Sequence, residues 1–121
     1  MQTLSQKRAA KALELLLDIG NRTKNDEKQR KDFQQMSKSI PPMILQNGLG
    51  QTIAFLKAKG EDKHNRMYDV LNLWLKSLGL IQADILRELN EMSSNNYLII
   101  QTESLRFLEW VKRYANAEIF E

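Results

Sequence analysis

The 121-residue sequence predicts an all-α fold, a compact single-domain bundle of about six helices, and three observations carry that prediction. Apolar residues recur at three- and four-residue spacing along most of the chain. No alternating run of four or more residues argues for a strand. Leucine occurs 18 times against 15 Val, Ile and Thr together, and proline only twice, a balance that favours helix. Residues 1–121 are therefore read as one domain with its own core.

The first helix is read over residues 4–22, where Ala9, Ala12, Leu13, Leu16 and Ile19 form one stripe opposite Lys7, Lys11, Glu14, Asp18 and Arg22. Gly20 and Asn21 weaken its end. Asn25 and Asp26 offer caps for a mostly polar second helix over about 26–38, anchored by Phe33 and Met36. Pro41 and Pro42 suit the first turn of a third helix behind Ser39, because a missing N–H costs nothing there, and Gly60 ends that helix after about Lys59. The loop over 60–65 leads to a fourth helix that Asn65 caps and Gly79 closes, with Met67, Val70, Leu71, Trp74, Leu75 and Leu78 as its apolar positions. A fifth helix over about 81–92 carries Ile81, Ile85, Leu89 and Met92. Ser93, Ser94, Asn95 and Asn96 then cap a long last helix with Tyr97, Ile100, Ser104, Leu108, Val111 and Ala115 inward.

Composition excludes several chemistries. With no Cys and a single His, the chain has no disulfide framework, no thiol nucleophile and no multi-His metal cage. Glu61-Asp62-Lys63-His64 is one copy of a di-iron element that needs two, and reads as a solvated charged turn. No cofactor is expected. Glu14 and Asp18 interrupt the only leader-like stretch, and the longest uncharged run, 39–56, contains Pro41, Pro42, Gln46, Asn47 and Gln51, so neither a signal peptide nor a membrane span is read and a cytoplasmic location is expected.

The net charge of +3 is unevenly spread, with +6 over residues 1–80 and −3 over 81–121. Lys7, Arg8 and Lys11 cluster on the first helix, where they can track phosphates. Asp84, Glu88 and Glu91 fall at i, i+4 and i+7 on the fifth. That trio reads as a solvated acidic face or as an acidic pole for subunit contact. Such asymmetry permits head-to-tail self-association.

Two strings stand out. Gly48 and Gly50 sit inside an apolar helical pattern at about 1 kcal/mol each, which close approach to another helix would offset, and Gln46, Asn47 and Gln51 would then be buried polar partners of that packing or would instead meet a neighbouring subunit. In the last helix Trp110 and Val111 precede Lys112, Arg113 and Tyr114, placing charge beside apolar anchors. The strings Ile44-Leu45-Gln46-Asn47-Gly48-Leu49-Gly50-Gln51 and Leu108-Glu109-Trp110-Val111-Lys112-Arg113-Tyr114-Ala115 resemble the small helical subunit of type III-B CRISPR effector complexes, the Cmr family, over roughly residues 40–117.

The resemblance implies a six-helix fold without nuclease activity. It implies copies that stack beside the guide-holding backbone subunits, with the large subunit as a further partner, and that line the groove where target RNA pairs with the guide. Lys112 and Arg113, followed by Arg8, Lys11 and Lys7, become the candidate contacts to the RNA backbone, since base pairing and not the protein reads sequence. Lys112 lying along Trp110 is the alternative for that residue. Two other classes remain open. One is a free-standing helical adaptor for protein partners without RNA; the other is a small helical nuclease, whose Arg-x4-His motif is missing because Lys59 stands five residues before His64.

Overall fold

The computed structural model describes residues 1–117 and places five helices in them: α1 (Leu4–Arg22), α2 (Glu27–Lys59), α3 (Asp62–Ser77), α4 (Ile85–Leu89) and α5 (Ser94–Ala115). All of the regular structure among these residues is helical. α1 begins at a capping box in which Thr3 and Gln6 satisfy each other's backbone N–H groups. Asp26 caps α2 by accepting from the Gln29 N–H, Gly60 ends it in the left-handed conformation, and Ser93 caps α5 through the Asn96 N–H. Glu61, and not Asn65, precedes α3; the Asn65 side chain instead donates back to the Gly60 carbonyl.

The expected second and third helices are one long helix, and its break lies elsewhere than the prolines suggest. Helical geometry runs through Pro41 and Pro42, because proline's fixed φ is compatible with a helix and only two backbone donors are lost. Gly48 is the one non-helical residue within it, at φ 84° and ψ 163°, a region essentially confined to glycine. The expected fifth helix shrinks to five residues, since the chain over 79–84 is held by turns and side-chain contacts.

α5 runs antiparallel to α2. The Gln34 side chain donates to the Ala115 carbonyl at one end, while Gln101 and Tyr97 meet Leu49 and Gly50 at the other. α1 lies along α5, joined to it by Arg8 and Glu103, and its C-terminal turn meets the start of α2 where Arg30 donates to the Gly20 carbonyl. Phe33, Ile40, Ile44, Leu49, Ile53, Leu71, Phe107 and Leu108 form the centre of one core, with Trp74 stacked on Phe107 at 4.7 Å between ring centroids.

Candidate functional site

The bundle sorts its cations into those it uses internally and those it leaves on the surface. Arg8 belongs to the first group. Its Nε and Nη2 donate to the two Glu103 oxygens at 2.7 Å each, and the pair is largely buried, with 11% and 8% of the side chains exposed. The Trp74 indole donates to the same carboxylate at 3.0 Å. Burial alone would raise the Glu103 carboxyl, but the Arg8 and Trp74 hydrogen bonds and the charges of Arg8 and Arg106 outweigh it and hold the group below the usual carboxylate range. The guanidinium is bound too tightly at its fork to serve a phosphate in the same way.

Lys112 and Arg113 stand in the last turn of α5. Arg113 is exposed and forms no ion pair among the described residues, while Lys112 is half-buried with its Nζ 4.0 Å from Glu109. Trp110 stacks on Tyr114 beside them at 5.9 Å. Lys7 is exposed near the start of α1, and Lys11 pairs with Glu14 at 3.4 Å. The two groups are separate: Arg8 is level with Glu103, and the nine residues from there to Lys112 span about 14 Å of helix. The basic group of α2 is mostly engaged, with Lys28 on Asp32, Lys31 near Glu27, and Arg30 on Gly20 and Thr23.

Sequence reasoning missed Arg106. It is exposed, forms no ion pair among the described residues, and shares a face with Arg113 at i, i+7. That spacing was the available signal.

The acidic trio is not one solvated helical face. Asp84 caps α4 and accepts from the Tyr68 hydroxyl, and Glu88 folds back to accept from the backbone N–H groups of Gln82, Ala83 and Asp84 at 2.7–2.8 Å. Those three donors hold the Glu88 carboxyl below its ordinary range. Only Glu91 is left fully exposed. Among the described residues no three His, Asp or Glu side chains converge in a way that could hold a metal ion.

For the amides beside the glycines, the expectation of burial is corrected, and exposure leaves them open to a neighbouring subunit. Gln46, Asn47 and Gln51 are exposed, not buried, because the break at Gly48 is served by α5: the Gln101 side-chain oxygen accepts from the Leu49 N–H at 2.9 Å and the Tyr97 hydroxyl from the Gly50 N–H at 2.8 Å. A Cβ on Gly50 would lie 3.2 Å from that hydroxyl. His64, expected in a solvated turn, is buried edge-on to Phe55 with its Nδ1 without a hydrogen bond. Desolvation pushes its pKa down, Glu61 opposes, and Lys63 and Lys59 reinforce the shift. No helix among the described residues is long and apolar enough to cross a membrane.

Comparison with known proteins places this arrangement in a family. Residues 4–118 match the family model described as CRISPR-associated protein (Cas_Cmr5). The chain is 32% identical over 115 residues to a CRISPR system Cmr subunit Cmr5 of Thermotoga maritima, covering 93% of this chain and 82% of that protein. It is 31% identical to the subunit of the same name from Thermus thermophilus, over the full length of both. The crystal structure of a CRISPR-associated Cmr5 family protein from Thermus thermophilus superposes with a TM-score of 0.74 at 30% identity, covering 95% of this chain and 96% of that one. With the family model spanning nearly the whole chain and the bundle reproduced in a solved relative, the chain belongs to the Cmr5 family of CRISPR-associated proteins.

Proposed function

We propose that this chain is the small, non-catalytic subunit of a Cmr-type RNA-guided effector complex, and that it lines the target RNA groove through backbone phosphate contacts made by Lys112 and Arg113. Family membership supports the subunit role and its lack of catalysis. One observation carries the RNA face: Arg113 is an exposed cation without an ion pair among the described residues, with Lys112 beside it, on a turn anchored by Trp110 and Tyr114. A groove-lining subunit needs such charges and no base-edge readers, because sequence is read by the guide. Lys7 and Lys11 form a second, weaker strip further along the bundle. Arg8 serves the fold. Backbone subunits, the large subunit and further copies of this chain are the protein partners, with Glu91 as the acidic contact left free by α4.

Purification of the tagged chain from its native host tests the reading against the adaptor. Larger subunits accompanied by short guide RNAs support it. Protein partners without RNA contradict it and favour a free-standing adaptor.

A further inference from the structure

A surface cleft of about 450 Å³ lies where the chain over 79–82 and α4 meet the first turns of α5. Leu80, Met92 and Ile99 give it an apolar lining, and Ile99 is 54% exposed. Its charged lining is acidic. Glu88 and Glu91 stand in it, and none of the described residues that line it is a Lys or Arg. Three backbone N–H groups fix Glu88, while Glu91 is exposed and forms no ion pair among the described residues. Lys76 acts on Glu88 from outside the cleft, and one such cation against two carboxylates leaves negative charge in excess. A second cleft, of about 460 Å³, has the opposite sign. Lys24, Arg30 and Lys31 line it with Glu27 as its one carboxylate, where the α1–α2 turn meets the start of α2. Lys31 lies 3.8 Å from Glu27, whereas Lys24 is exposed and forms no ion pair among the described residues. Gln34 lines this cleft too and donates to the Ala115 carbonyl, which puts it at the C-terminal end of α5.

The two clefts are held apart by the length of α5, since Ile99 and Ala115 are about 24 Å apart along that helix. Neither therefore serves the other within one molecule. The acidic cleft repels a phosphodiester and suits a lysine, whose aliphatic stem covers apolar surface while its ammonium reaches a carboxylate. Lys24 is such a residue, carried on a turn with two further cations beside it. We infer that the α1–α2 turn of one copy docks in the Glu91–Ile99 cleft of a second copy, with the Lys24 stem on the apolar lining and its ammonium on Glu91. Arg30 and Lys31 add to the attraction, and Glu88 answers them from its fixed position. Charge complementarity between two surfaces of the same chain is what makes a second copy the occupant. Donor and acceptor lie towards opposite ends of α5, so the contact is heterologous and repeats from copy to copy. It rests on the reading of the chain as a subunit that meets further copies of itself, and names the contact.

Sedimentation equilibrium of the full chain, without RNA and at low salt, tests the inference. Concentration-dependent association is expected, and added salt weakens it. Glu91→Lys or Lys24→Glu alone should weaken it about tenfold, because each sets like charges face to face. Mixing the two variant chains, or combining both substitutions in one chain, should restore it, since every Lys again meets a Glu. Both residues are exposed, and circular dichroism checks that the variants keep their helices. A chain that stays monomeric, association indifferent to either substitution, or a charge swap without recovery overturns the inference. So does a monomeric wild-type chain whose Glu91→Lys variant loses the larger subunits on copurification, which assigns the cleft to a basic segment of another subunit. A variant that no longer self-associates but still copurifies with the larger subunits leaves the subunit reading standing, so the two fail separately.

Discussion

Arg8, Glu103 and Trp74 join three helices through one carboxylate, and its environment makes the consequences of substitution specific. Arg8→Ala strands a buried negative charge and should cost about 3 kcal/mol, measured by urea unfolding, whereas Arg8→Met with Glu103→Leu should recover most of it. A Glu103 pKa held below the unfolded value means that its stabilisation is present above the usual carboxylate range and is lost as pH falls through the folded value. His64 acts in a higher window. Its folded pKa is depressed below the ordinary value of 6.5, so its contribution is complete above that value and is lost as pH falls through the folded one. Thermal unfolding should therefore show a loss of stability on acidification from about pH 7 towards 5 that His64→Phe flattens; an unchanged slope would mean the imidazole titrates as in water.

At the scale of elements, the break in α2 decides how α5 is gripped. Gly48→Ala forces a side chain into a conformation reserved for glycine and should cost about 1–3 kcal/mol. Tyr97→Phe deprives the Gly50 N–H of its partner and should cost about 1–2 kcal/mol, with the loss read from chemical denaturation. Much of this architecture is legible in the sequence. The stripes of α1, α3 and α5 announce themselves by spacing, and Asp26, Gly60 and Ser93 stand where caps belong. The position of the break is not legible, since two prolines are a louder local signal than one glycine, and only contact with Tyr97 and Gln101 shows which of them the backbone obeys. Arg8 is illegible as a structural residue for a similar reason. Its partner lies 95 positions away, and a cation on a helix face looks the same whether or not a carboxylate waits for it. Glu88 reads as surface charge in the sequence because the backbone donors that it serves become visible only when the chain turns at Gly79.

Across the whole molecule, the slight net charge conceals a division of labour. Several cations are engaged within the fold or on neighbouring carboxylates, and Arg113 and Arg106 are left on the outer face of α5, on either side of Glu109. The proposed RNA face rests on the first. A subunit of this kind supplies surface and leaves chemistry to its partners, in keeping with a chain that has one buried histidine and no cysteine. The most direct test of the central claim is the salt dependence of target RNA binding by the assembled complex carrying Lys112→Glu and Arg113→Glu in this subunit. Weaker binding is predicted, with the slope of log affinity against log salt flattened by roughly 0.7 or more for each phosphate that is no longer neutralised. Unchanged affinity and slope would contradict the account and remove Lys112 and Arg113 from the RNA face.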